Sequence, residues 1–201
     1  DLSMVYVDSF NDYVEDLNYF INEIVKKEEP LNRLFFYGHS MGGGIAALYL
    51  EKYPDTFKRA VLSSPMIGIN FKKIPKHWVK AVMAISKIMH WDKNYVPGNH
   101  EFRGKRKYPK GTAMSEPRYD YYFNCRKQDE NYSTYGASFR WAREAILATK
   151  KVKKNVGRIH IPVLLCQSGD ETLVDNKAQN YLVEKSDYIT KIEYPNAKHQ
   201  L

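Results

Sequence analysis

Serine, histidine and carboxylate side chains together can make a hydrolytic nucleophile, and this sequence carries them in three separate stretches. The first is Gly38-His39-Ser40-Met41-Gly42, within "FFYGHSMGGG" (35–44), where an apolar run ends on a serine with glycine two positions before and two after it. The pattern is G-x-S-x-G, the nucleophile elbow when it joins a strand to a helix. A reversal that sharp strains the backbone of Ser40 and exposes its hydroxyl. Side chains at both flanking positions would collide across the turn, so Gly38 and Gly42 are both expected to be needed. The amide of Met41, at a helix N-terminus, is the expected oxyanion donor. A serine hydroxyl is a weak nucleophile until a base accepts its proton and an acid orients that base. "SGDETLVDN" (168–176) offers the acids Asp170, Glu171 and Asp175, and "NAKHQ" (196–200) offers the base His199. Asp170 lies directly beyond a strand end and is assigned as the acid. Glu171 should point away from its neighbour and is the weaker candidate, and Asp175 more simply caps the helix that follows. His39 should point behind the elbow. His77, His90 and His100 belong to a separate stretch, and His160 begins a strand. No H-E-x-x-H or cysteine–histidine spacing is present, so no metal and no cofactor are expected.

The elements that must position these residues are legible from periodicity. Phe10, Tyr13, Val14, Leu17, Phe20, Ile21 and Ile24 recur at steps of three and four and predict an amphipathic helix, with Ser9 as N-cap and Pro30 marking its exit. Residues 33–38 read as a strand buried on both faces, 41–54 as a helix, and 59–65 as a second strand. Residues 160–169 and 190–196 read as further strands around a helix at 175–185. Alternating strands and helices indicate a parallel α/β sheet. Residues 67–157 break that rhythm and read as an insertion between two parts of one core, 1–66 and 158–201. Helices are expected in it over 75–90 and after Gly136. Four such strands would leave a long exposed edge, which suggests that N-terminal strands and a C-terminal helix are missing.

Composition narrows the function classes. The chain has 201 residues, 43% of them apolar, enough for a real core. No run of 18 apolar residues suggests a membrane-spanning helix. Two cysteines, Cys125 and Cys166, are too few for a disulfide framework and point to a reducing, cytoplasmic setting. The net charge is +8, and residues 67–150 hold 17 Lys/Arg against 7 Asp/Glu while the remainder holds 14 against 16. The whole positive excess therefore sits in the insertion, most densely in "FRGKRKYPK" (102–110). Peripheral contact of this basic stretch with an anionic membrane surface is the expectation, since each basic residue near acidic headgroups contributes about 1 kcal/mol. Nucleic acid is not expected as a partner, because the aromatics form no recognisable binding motif.

These stretches together resemble the α/β-hydrolase fold, and within it the lysophospholipase and monoacylglycerol lipase family of serine hydrolases. "GHSMGG" (38–43), "SGDETLVD" (168–175) and "NAKH" (196–199) are similar to the family's three catalytic stretches, and "VDSFNDYVEDL" (7–17) to its helix before the nucleophile strand. "SEPRYDYYF" (115–123) and "YGASFRWAREAI" (135–146) resemble the cap of the bacterial lysophospholipase branch. The resemblance implies Ser40 as nucleophile, Asp170 as acid and His199 as base, with the insertion acting as a cap over the carboxyl ends of the strands. It implies hydrolysis, through an acyl-enzyme, of a lipid ester with one acyl chain, a lysophospholipid or a monoacylglycerol. Two features depart from the family: its early His-Gly turn, source of the second oxyanion donor, would lie upstream of Asp1, and Gln200 stands where many relatives carry Glu. The competing readings are an aminopeptidase-like or other small-ester hydrolase, and a non-catalytic binding module on the same fold.

Overall fold

The computed structural model describes residues 3–29, 34–71, 74–108, 111–132 and 134–201. Pro30, Arg33 and Lys110, which the sequence reading used, lie outside the described residues. In chain order the strands and helices are β1 (Met4–Val5), α1 (Phe10–Phe20), α2 (Lys26–Glu28), β2 (Phe35–His39), α3 (Met41–Lys52), β3 (Arg59–Ser63), α4 (Lys76–Ile88), α5 (Glu116–Gln128), β4 (Gly136–Ala137), α6 (Phe139–Asn155), β5 (Val163–Ser168), α7 (Asn176–Lys185) and β6 (Ile189–Tyr194). The chain divides into two compact units, Phe10–Asn70 with Ile146–Leu201, and Asp1–Ser9 with Phe71–Ala145.

The first unit holds a four-stranded, fully parallel sheet of order β2-β3-β5-β6. The inner strands behave as the sequence indicates, with Ala60, Leu62, Val163 and Leu165 buried. The expectation that residues 33–38 are buried on both faces does not hold. β2 is an outer strand, and Phe35 and Tyr37 on one of its faces are 68% and 65% exposed. α3 is apolar around much of its circumference, with Ala46, Ala47, Tyr49 and Leu50 buried. α1 lies against it through Phe10 and Val14, and its Asn18 accepts a hydrogen bond from Tyr49 (3.2 Å). The expected long helix is not continuous. Residues 21–25 widen into a π-helical turn, and Phe20 and Ile24, both expected on the buried stripe, are about half exposed.

The second unit is built around contacts that sequence periodicity did not indicate. β1 pairs in parallel with β4, Met4 against Gly136 and Val5 against Ala137. Arg140 donates from Nε to the Asp8 carbonyl (2.9 Å), and Arg143 bonds Ser86 Oγ (2.9 Å) and pairs with Asp92. α5 starts at Ser115, whose hydroxyl accepts from the Arg118 amide (3.5 Å), with Pro117 in its first turn where no amide is missed. The unit boundaries lie inside the expected insertion, 67–157. Ile67 is fully buried with the sheet, Ile69 bridges Val174, and Val152 and Val156 are core residues of the sheet-bearing unit.

One buried carboxyl on α3 stands apart. Glu51 is 4% exposed, and burial pushes its carboxyl up to about 8, although the nearby charges of Lys151 and Arg158 work the other way. A carboxyl whose folded value is raised stabilises the fold below its ordinary value of 4.5 and loses that contribution as pH rises through about 8. Glu51→Gln removes the titration. Its melting temperature should exceed that of the parent at pH 8 by roughly 2–8 °C, with the difference shrinking toward pH 5. Thermal unfolding across that range checks this, and parallel curves for the two proteins would contradict it.

Candidate active site

Ser40 stands between the end of β2 and the start of α3 with φ 54° and ψ −119°, a left-handed conformation that L side chains adopt only under constraint. The constraint is a set of backbone hydrogen bonds. The Ser40 amide donates to the Ser63 carbonyl (2.9 Å), and its own carbonyl accepts from both Gly44 (3.1 Å) and Met66 (2.9 Å). The turn is therefore pinned to α3 and to the segment leaving β3. A Cβ at Gly38 would lie 2.8 Å from the Gly42 carbonyl oxygen, so that position requires glycine. The same expectation for Gly42 is not met, since a Cβ there would meet nothing within 4 Å. Gly43 and Gly44 are the tighter positions, where a Cβ would press on Pro65 and on the Met66 carbonyl at 2.8 Å each. Met41 is the first residue of α3, so its amide belongs to the first turn of the helix, where amides lack intrahelical partners.

His199 reaches this serine from the loop after β6. Its Nε2 lies 2.7 Å from Ser40 Oγ and its Nδ1 2.7 Å from Glu171 Oε2. An ionised carboxylate can only accept, so Nδ1 carries the proton and Nε2 is left to accept from the Ser40 hydroxyl. Both partners are enclosed: the side chains of His199 and Glu171 are 5% and 2% exposed. The second carboxylate oxygen of Glu171 accepts from the amides of Thr172 (2.8 Å), Leu173 (2.7 Å) and Val174 (3.3 Å). Burial by itself would raise this carboxyl, but the His199 bond and the backbone amides outweigh it and hold the carboxyl below its ordinary value.

The carboxylate at His199 is thus Glu171 and not Asp170, which corrects the assignment made from sequence. Asp170 is exposed, and its amide donates to the Ala197 carbonyl (3.0 Å). That bond fixes Asp170 as part of the clasp between two loops. The clasp also contains Ser168 Oγ donating to Ala197 (2.6 Å) and the Gly169 amide donating to Tyr194 (2.9 Å). Gly169 passes so close to Pro195 that an added Cβ would sit 2.2 Å from its carbonyl oxygen. Neighbouring residues on an extended loop face opposite sides, so "Asp-Glu" offers two candidates but not which one faces the imidazole. No local pattern separates them. Asp175 caps α7, accepting from the Lys177 amide (3.0 Å).

His39 does not join the hydrogen-bonded set. Its Nδ1 lies 3.1 Å from Ser63 Oγ, and its ring centre is 5.0 Å from that of His199. Burial, with the nearby His199, lowers its proton affinity, so it stays neutral and adds no competing charge. Among the described residues no group of His, Cys, Asp or Glu side chains has the arrangement of a metal site.

A sequence profile of the serine aminopeptidase S33 family of hydrolases matches residues 3–201. The chain belongs to this family. It is similar to lysophospholipase L2 of Escherichia coli K12, at 28% identity over 185 residues that make up 92% of this chain and 54% of that protein. It is similar also to a monoglyceride lipase of Rattus norvegicus, at 27% over 180 residues, 90% of this chain and 54% of that one. The chain thus spans about half the length of these curated relatives. Among solved structures it is similar to a Paleococcus ferrophilus monoacylglycerol lipase (TM-score 0.68, 20% identity, covering 96% of this chain and 67% of that one). A Bacillus coagulans carboxyl esterase gives a TM-score of 0.72 at 15% identity, over 98% and 67% of the two chains. These likenesses establish the α/β-hydrolase fold for this family member, as the parallel sheet with flanking helices indicates.

The two acidic neighbours are separable by experiment. Glu171→Gln keeps the shape but cannot hold the imidazole in the required tautomer. It should lower kcat for ester hydrolysis by about 10³–10⁴. Asp170→Asn should stay within about tenfold of the parent, because it is the Asp170 amide, not its carboxylate, that makes the loop contact. Steady-state rates on a soluble ester check both, and the reverse order would return the role to Asp170.

Proposed function

We propose that this chain carries the catalytic machinery of a serine hydrolase that cleaves carboxylic esters of single-acyl-chain lipids. The observation that carries the reading is the line Glu171–His199–Ser40, joined by two 2.7 Å bonds and anchored on a strained serine. His199 Nε2 takes the Ser40 proton as Oγ bonds to the ester carbonyl carbon. The carbonyl electrons move to oxygen, where the Met41 amide is the proposed donor. Collapse of that intermediate breaks the C–O bond, and the imidazolium returns its proton to the departing alcohol. Water, activated by the same imidazole, then releases the fatty acid and restores the serine. The charge of Glu171 steadies the imidazolium at both stages. The relatives named lysophospholipase and monoglyceride lipase support a lysophospholipid or monoacylglycerol as substrate.

The family's own description favours a second reading, an aminopeptidase, which needs a free carboxylate to hold the substrate's amine. In the inserted unit Asp92, Glu101, Glu116 and Asp120 are each paired with an arginine. With residues 67–150 holding 7 acidic against 17 basic residues, this supports an ester over a substrate that carries an amine. The idea of the basic run as a uniform patch for anionic membranes also narrows, since Arg103 and Arg106 are among those paired arginines. Among the described residues no helix is long and apolar enough to cross a membrane.

Ser40→Ala should lower hydrolysis by about 10³-fold or more and abolish labelling by a fluorophosphonate, with little change in stability. A panel of lysophospholipids, monoacylglycerols and amino-acid amides, assayed on the full-length protein, should show turnover of the esters. Amide turnover alone would select the aminopeptidase reading, and an unlabelled Ser40 would select a non-catalytic binding module.

A further inference from the structure

The basic run of the inserted unit does more than carry surface charge. It walls a cavity of about 190 Å³ lined by His100, Phe102, Arg103, Lys105, Lys107 and Tyr135. Arg103, Lys105 and Lys107 occupy alternate positions and share the cavity. Arg106, between them, bonds Asp120 Oδ1 (2.7 Å) and pairs with Glu116 on α5. Two acids thus neutralise the arginine outside the cavity. The acid beside it, Glu101, engages Arg103 through Nε (3.0 Å). Lys107 bonds the Tyr135 hydroxyl (3.2 Å), and no side-chain partner is described for Lys105. One more cation stands near these rings. The Arg126 guanidinium stands 5.7 Å from the Phe102 ring and 5.5 Å from that of Tyr135, and its buried Nε finds no acceptor among the described residues.

Cations gathered around so small a space repel one another unless an anion joins them. The wall is already in place without one. The Lys107 amide donates to Tyr119 OH (2.8 Å), Tyr108 OH donates to the Met114 carbonyl (3.1 Å), and Arg106 lies over the rings of Tyr108 and Tyr119. A preorganised wall spares a ligand the cost of ordering it. The volume is below the roughly 300–1,000 Å³ of pockets for drug-sized molecules, so it suits one anionic group with a short substituent. A phosphate carries about −1.5 to −2 charges and three acceptor oxygens, which matches two ammonium groups and a guanidinium better than a single carboxylate does.

We propose that this cavity binds a phosphate group, held by Arg103, Lys105 and Lys107 and bordered by the rings of Phe102 and Tyr135. A phospholipid headgroup and a free phosphate or small phosphate ester present the same chemistry. The inference is independent of the reaction assigned to Ser40.

The test uses the full chain titrated calorimetrically with inorganic phosphate and with glycerol 3-phosphate. In parallel it is sedimented with phosphatidylcholine vesicles with and without phosphatidic acid. The double variant Lys105→Gln/Lys107→Gln is compared with Lys87→Gln/Lys127→Gln, which removes equal charge from exposed positions on α4 and α5. Binding should weaken about tenfold or more in the first pair and change little in the second. Lys105→Arg, which keeps the charge, should retain it, and that separates a site from a folding defect. Binding of the soluble phosphates identifies a free phosphate or small ester. Binding only to phosphatidic acid vesicles, with the same variant dependence, identifies a headgroup. Equal loss in both pairs would show diffuse attraction, and binding in neither assay would leave no site; each overturns the proposal. Hydrolysis of a short uncharged ester, measured alongside, should be unchanged, so failure here leaves the reading of Ser40 intact.

Discussion

Ser40 is held in a backbone conformation that costs about 1–3 kcal/mol on its own, and the sheet-bearing unit is arranged around keeping it there. Its amide and carbonyl are tied at once to Ser63, Gly44 and Met66, so β2, α3 and the exit of β3 must meet within hydrogen-bonding distance of one residue. That convergence explains why α3 opens on consecutive glycines. Side chains at Gly43 or Gly44 would drive the helix off the Pro65–Met66 segment and release the turn. The glycine of the motif nearer the helix, Gly42, has room for a side chain, so the packing demand falls on the next two residues.

A second constraint is electrostatic. A carboxylate sealed from water costs several kcal/mol unless its lone pairs are met. Glu171 meets them with three consecutive amides of its own loop and the imidazole of His199. The loops that carry Glu171 and His199 are in turn fastened to each other at Ser168, Gly169 and Asp170. Backbone contacts therefore set the distance between the two side chains, and the imidazole is left one free nitrogen, turned to the serine. Position and charge are fixed by the same few hydrogen bonds.

In the inserted unit the arrangement of charge matters more than its total. The strongly basic composition of residues 67–150 first reads as one cationic surface. Four of its acids are spent on arginines, and the lysines at alternate positions of the run are left around a cavity. Arg106 is tied to α5 and Arg143 on α6 to Asp92, whereas Arg103, Lys105 and Lys107 line the cavity.

The sequence by itself determined the parallel α/β class, the tight serine turn between a strand and a helix, and the order along the chain of the stretches that hold Ser40, the candidate acids and His199. These are readable because they rest on local rules: hydrophobic period, glycine spacing and strand-to-helix punctuation. It also narrowed the acid to three neighbours. Only the tertiary structure decided among Asp170, Glu171 and Asp175, because the choice depends on which side of one loop meets a residue 28 positions later in the chain. The same reason covers the half-exposed β2, the pairing of Met4–Val5 with Gly136–Ala137, and the division of the basic run. Each is settled by a partner distant in sequence, and a pattern of neighbouring residues holds no record of where that partner comes to rest.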